Sequence, residues 1–174
     1  ILLLLGTLAV LCAIVSILTP SFLTQRNIMN TLRQVSLTAI CGFGMTMVVL
    51  LGEIDLSVGS QQAVAGLTSV VVLNATGSIA LAVLAALASG VIVGAINGLL
   101  VTKLKLNSLI ATLGTMSIWR GACMVVTSAV SIQSEYPEFQ NLGTGFMGPF
   151  PNAFVIAFLL YLIIYYLLNH TTFG

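Results

Sequence analysis

This sequence is short of charge. Its 174 residues include five Lys or Arg and four Asp or Glu, for a formal net charge of +1. An ordinary soluble domain devotes about 25% of its residues to charged side chains. Here the share is 5%, too little to coat a water-soluble globule of this length. The near-neutral balance excludes the basic footprint of a nucleic-acid binder, and no polybasic patch is present. Cysteine is scarce too. Cys12, Cys41 and Cys123 lie far apart in apolar runs, with no CxxC and no metal-ligand spacing. Their expected role is that of small buried hydrophobes. The lone histidine, His170, has no nucleophile and acid arranged around it in the sequence. No HExxH and no GxxxxGK[ST] phosphate loop appears. Nothing points to catalysis, to a metal or to a cofactor, and any ATP that is used must be bound by another chain.

What the sequence has instead is apolar length. Hydrophobic residues make up 59% of it, and the mean hydropathy is +1.16. Side chains of this kind must face lipid, so the expected fold is all-α: a polytopic transmembrane helix bundle. A span needs about 20 apolar residues. Six runs approach that length: residues 1–18, 35–51, 57–73, 79–101, 106–127 and 152–168. A short interfacial helix capped by Thr24 is expected over 24–32. Run 1–18 has no basic segment before it and no cleavage site after it, so it reads as a span rather than a signal peptide. The chain begins without Met and stops at Phe173-Gly174, which suggests a fragment. Six spans would place both ends on one side. Lys103 and Lys105 assign that side to the cytoplasm, and the acidic loop 128–151 then falls outside. Arg26 and Arg33 also fall outside, against the rule.

The fourth run carries a small-residue repeat. Ala82, Ala86, Gly90, Gly94 and Gly98 recur every four residues and are expected to form a packing stripe, within a bundle or at a dimer seam. Chemistry is richest between the second and third runs, in Gly52-Glu53-Ile54-Asp55-Leu56-Ser57-Val58-Gly59-Ser60. On a continuous helix Glu53 and Asp55 would point about 200° apart. Each acid at a bilayer centre costs roughly 2.5–3.5 kcal/mol. The segment is therefore expected to be broken or re-entrant near 52–59, with Gly52 and Gly59 making the break feasible. Asp55 or Ser57 would cap the next helix. Arg120, inside the fifth run, should face protein or water, where it could meet a carboxylate such as Glu53 or Asp55, donate to helix-end carbonyls, or snorkel toward the outer end of the span. Asn97 sits in the small-residue seam, where an interhelical hydrogen bond is expected. Ser108, Thr112, Thr115 and Ser117 add hydroxyls on the fifth run, suited to a neutral hydroxyl-rich cargo or to helix packing.

The break segment resembles the GGIDLSVGS signature of bacterial ABC permeases that import ribose, xylose and arabinose. Three further stretches agree in order. Residues Phe22-Leu23-Thr24-Gln25-Arg26-Asn27-Ile28 are similar to the segment after that family's first span. Gly94-Ala95-Ile96-Asn97-Gly98-Leu99-Leu100-Val101 is similar to its GxxNGxLV segment. Ile110-Ala111-Thr112-Leu113-Gly114-Thr115-Met116-Ser117-Ile118-Trp119-Arg120-Gly121 is similar to its FIATLGTMSIxRG segment. Thr171-Thr172-Phe173-Gly174 resembles the start of the cytoplasmic loop leading to the ATPase-contacting region. The resemblance covers the whole chain and a little more than the first half of such a permease. It implies that residues 1–174 are one transmembrane permease domain lacking its C-terminal spans. Glu53 departs from the family's glycine, and Leu106-Asn107-Ser108 departs from its proline-containing start of the fifth span.

The resemblance implies a monosaccharide importer of the bacterial inner membrane, with no cofactor of its own. Two permease chains would form the pore, two ATP-binding cassette subunits would drive it from the cytoplasm, and an extracytoplasmic binding protein would deliver the sugar. Glu53, Asp55, Ser57 and Gly59 become a gate element. Asn97, Thr112, Thr115 and Arg120 become packing or pathway positions. Two rivals stand beside it. One is an ion-coupled secondary transporter using Glu53 or Asp55. The other is a non-transporting scaffold assembled through the small-residue stripe.

Overall fold

A computed structural model describes residues 2–171 of the chain. Thr172–Gly174, and with them most of the expected coupling-loop start, lie outside the described residues. The described residues form seven helices and one hairpin. The helices are α1 (Leu2–Leu18), α2 (Gln25–Leu50), α3 (Val58–Thr76), α4 (Ile79–Thr102), α5 (Ser108–Thr127), α6 (Pro137–Thr144) and α7 (Asn152–His170). The hairpin, β1 (Phe146–Met147) with β2 (Phe150–Pro151), is antiparallel, and Gly148 supplies the positive φ of its turn at 62°.

Among the described residues, α2, α4, α5 and α7 are long and apolar enough to cross a membrane. Helix α1 is apolar but 17 residues long, and α3 carries Gln61, Gln62 and Asn74 and falls short on hydropathy. The protein is a helical membrane bundle with a break between α2 and α3. The separate interfacial helix expected over 24–32 does not form. It is continuous with the second run as the 26-residue α2. No Gly or Pro lies between Gln25 and Cys41, and Arg33-Gln34 are good helix formers, so polarity there does not interrupt the backbone ladder. The loop 128–151 also holds more structure than expected, namely α6 and the hairpin.

Local chemistry sets the other ends. Gly77 closes α3 at φ 67°, returning its N–H to the Leu73 carbonyl at 2.7 Å. Ser78 opens α4 by accepting from the Leu81 N–H at 3.4 Å. Asn107 opens α5 by accepting from the N–H groups of Leu109 (3.0 Å) and Ile110 (3.4 Å). These are helix-cap devices that satisfy otherwise orphaned amides and carbonyls.

The chain divides into two compact units, Ile1–Ile40 with Gly143–Gly174, and Cys41–Leu142. In the second, α3 packs against both α4 and α5, and α4 packs against α5. Its buried side chains include Leu73, Ala82, Val93 and Ala111, but also Ser57, Ser60, Ser69, Asn97, Ser108, Thr112 and Thr115. Hydroxyls and an amide outnumber aliphatics inside, while large apolar side chains such as Leu84, Leu87 and Val91 stand outside. That inversion suits a lipid solvent, where leucine gains nothing by leaving the surface.

One packing expectation changes, that of the cysteines, and the glycines of the small-residue repeat meet no neighbouring helix within this one chain. A step of four residues turns about 40° past a full revolution, so the repeat winds around the helix. Ala82 is fully buried, Gly94 and Gly98 are exposed, and nothing lies within 4 Å of a Cβ built at Gly90, Gly94 or Gly98. The cysteines are not buried either. Cys12 is exposed, and Cys41 and Cys123 are half-buried. A small apolar thiol on a lipid-facing helix has no need of a protein core.

Candidate functional site: the link between α2 and α3

Helix α2 ends at Leu50, and Gly52 turns the chain with φ 77°. Residues 52–57 are not helical, and α3 starts at Val58. Two hydroxyls of α5 hold this link. Ser108 and Thr112 are four residues apart, hence on one helix face. Ser108 Oγ accepts from the Ile54 N–H at 3.4 Å, and Thr112 Oγ1 accepts from the Leu56 N–H at 3.2 Å. Thr112 Oγ1 also donates to its own helix at Ser108 O, 2.7 Å away. The link therefore finds on α5 the partners that a regular helix would have supplied internally.

The second half of the site is a closed polar cluster at the start of α3. The Asp55 carboxylate accepts at Oδ1 from the Ser57 N–H (2.8 Å) and from the Ser57 hydroxyl (2.6 Å). Its Oδ2 accepts from Gln61 Nε2 at 3.0 Å. Gln61 Nε2 also donates to Ser57 Oγ at 2.8 Å. From α4, Asn97 Nδ2 donates to the same Ser57 oxygen at 2.7 Å. Ser57 is fully buried and Asn97 is 5% exposed. Asp55 thus holds the backbone N–H of Ser57, the residue just before α3, and places its carboxylate near the positive end of that helix, without bonding an amide of its first turn. Ser57 makes no side-chain cap bond. The Asn97 Oδ1 atom is buried with no partner among the described residues.

The structure gathers four of the eight site residues read from sequence, Asp55, Ser57, Asn97 and Thr112, into this one region. Thr115 is buried beside them but donates only to Thr112 O, at 3.2 Å. Glu53 is half-buried and makes no side-chain hydrogen bond or ion pair among the described residues. Gly59 is exposed within the first turn of α3 and is not needed for the break. Arg120 is exposed and meets neither Glu53 nor Asp55. It lies five and eight positions beyond Thr115 and Thr112, about 80–140° around the helix from the buried stripe. Gln61 and Ser108 belong to the site but were not among those eight. Gln61 had a signal in the sequence, four residues after Ser57 and so on the same helical face. The stretch Leu106-Asn107-Ser108 also serves the site, since Asn107 caps α5 and Ser108 reaches Ile54.

These polar contacts lie within the range that comparison with known proteins matches. The family model described as "Branched-chain amino acid transport system / permease component" matches residues 27–174. This chain belongs to that permease family. Among its relatives, the ribose import permease protein RbsC of Escherichia coli is 39% identical over 171 residues, 96% of this chain and 53% of that permease. The ribose import permease protein RbsC of Bacillus subtilis is 39% identical over 96% of this chain and 52% of its own length. The L-arabinose ABC transporter permease protein AraH of Azospirillum brasilense is 36% identical over 80% of this chain and 41% of its own. The chain spans about half the length of the curated relatives it matches. No solved structure matches. As a member of this permease family with four apolar helices of spanning length, the chain is a multi-pass membrane protein.

Proposed function

We propose that this chain contributes to the membrane-spanning permease subunit of an ATP-driven ABC importer that carries a monosaccharide across the bacterial inner membrane. The observation that carries this reading is the 39% identity to a ribose import permease over 96% of the chain. Residues 1–174 act as a transmembrane permease domain. It hydrolyses nothing itself; a separate ATP-binding cassette subunit supplies the work, an extracytoplasmic sugar-binding protein delivers cargo, and a second permease chain completes the pore. The α2–α3 link, through Asp55, Ser57, Asn97 and Thr112, serves as the gate element, with Glu53, Gly59, Thr115 and Arg120 at its margins or along the pathway. Cargo with hydroxyls rather than charge suits an interior of Ser, Thr and Asn side chains. The family description favours a second cargo, a branched-chain amino acid.

The test is co-purification followed by uptake. The full-length protein should bring an ATP-binding subunit with it. Reconstituted in vesicles with that subunit and its binding protein, it should take up labelled ribose or arabinose only when ATP is present, and leucine not at all. Leucine uptake would move the reading to the second cargo. Uptake that follows an ion gradient without ATP, and that Glu53→Gly abolishes, would replace the ABC reading with an ion-coupled one. In the ABC permease, Glu53→Gly should transport at the unsubstituted rate.

A further inference from the structure

Ser57 is the crossing point of the polar cluster, and its hydroxyl has a fixed capacity of one proton to donate and two lone pairs to accept with. Asn97 Nδ2 at 2.7 Å and Gln61 Nε2 at 2.8 Å occupy both lone pairs. The proton then has one place to go, Asp55 Oδ1 at 2.6 Å. Gln61 also donates to Asp55 Oδ2 at 3.0 Å, closing a ring of three side chains. Two of the ring's three hydrogen bonds end on Asp55, the third runs from Gln61 to Ser57, and a carboxylate can only accept. No ionisable side chain lies on α3 or α4, and α5 offers only Arg120 and Cys123. Lys103 and Lys105 lie in the α4–α5 connection, and Glu53 in the link itself. None of the charged groups makes an ion pair with Asp55 among the described residues. The orientation of the carboxylate therefore rests on hydrogen bonds alone, and Gln61 is the one side chain that bonds both Asp55 and Ser57 from within α3.

From this geometry we infer that Gln61 is a positioning residue of the gate. Its amide sets the direction of the chain Asn97 to Ser57 to Asp55 and fastens the α2–α3 link to the first turn of α3, so that link and helix move together. The inference rests on the importer reading of the same site, and it makes Gln61 matter for its donor chemistry at that place rather than for its volume.

The experiment exchanges the two groups in the full-length permease with its ATP-binding subunit. Gln61→Glu sets two carboxylates against each other where a donor is required. Asp55→Asn combined with Gln61→Glu restores one amide and one acid, reversed: the amide oxygen introduced at position 55 would still accept from Ser57, and its nitrogen would donate to the carboxylate introduced at position 61. ATP-driven uptake is the first readout, and thermal unfolding of the purified complex, which needs no transport, is the second. Gln61→Glu should lose about tenfold or more in uptake, and the exchange should recover to within about threefold of the unsubstituted protein, a coupling of the size measured for side chains in one network. Gln61→Leu should lose as Gln61→Glu does, with no recovery on adding Asp55→Asn. An unimpaired Gln61→Glu would overturn the inference. So would an exchange no better than the product of its two single changes, or one that fails to assemble. If the unsubstituted complex shows no ATP-driven uptake, the importer reading fails, while the order of unfolding temperatures still decides whether Gln61 and Asp55 are coupled in this way.

Discussion

Helices α1 and α3 are of similar length, 17 and 19 residues, and differ in almost everything else. Helix α1 is nearly pure aliphatic, with Thr7 and Ser16 its only hydroxyls, and none of its residues is buried. Helix α3 carries Ser60, Gln61, Gln62, Thr68, Ser69 and Asn74, and it is the helix that both α4 and α5 pack against. In a water-soluble protein the ranking would reverse, because leaving water is what drives leucine inward. In a bilayer, leucine is already in its preferred solvent. A serine hydroxyl or a bare backbone amide is not, and each unmet group there costs several kcal/mol. The interior is therefore built around polar groups that need one another, contributed mainly by α3 with Ser60 and Ser69 and by α5 with Ser108, Thr112 and Thr115.

Substitutions at the polar centre should sharpen this contrast most. Asp55→Ala removes the acceptor for the Ser57 N–H, the Ser57 hydroxyl and Gln61. It should destabilise the full-length protein by roughly 3 kcal/mol, read by denaturant unfolding in mixed micelles; a loss below about 1 kcal/mol would show that the cluster is not what holds the link. Thr112→Val should come next, at about 1–2 kcal/mol, because it strands the Leu56 amide. Thr115→Val, which breaks only a bond within α5, should cost less than about 0.5 kcal/mol. Equal effects at the two threonines would erase the difference between a bond that joins elements and one that does not. Gly94→Ala has open space to fill and should stabilise α4 by about 0.5–1 kcal/mol. If it instead weakens association of full-length copies in cross-linking, the exposed side of α4 is a seam between chains. Leu8→Ala, in α1, should fall within about 0.5 kcal/mol. Leu8 is 58% exposed, and a larger loss would mean that α1 hides more contact than its composition suggests.

Much of this is legible in the sequence. Apolar run length located the helices, and turn residues such as Gly77-Ser78 located their ends. Two acids beside glycines located the break. Spatial arrangement is less legible than local pattern. A four-residue repeat reads as a stripe on paper and winds around a real helix, so Gly94 and Gly98 leave the face that Ala82 occupies. Arg33 and Gln34 looked like a boundary, yet polarity alone does not stop a backbone ladder. Arg120 is placed inside a span by the sequence, but which face it takes is set by packing, and the buried stripe of α5 passes it by.

Composition and spacing were enough to establish the solvent, the helical class, the family likeness and the place where regular structure must fail, because these act locally along the chain. Which polar groups meet was left to the packing of the helices. Ile54 and Ser108 are 54 residues apart, Leu56 and Thr112 are 56, and Ser57 and Asn97 are 40. No periodicity encodes such pairings. They exist because α3, α4 and α5 pack together, and because the unpaired amides of a broken helix must take their partners from whichever neighbour the packing brings.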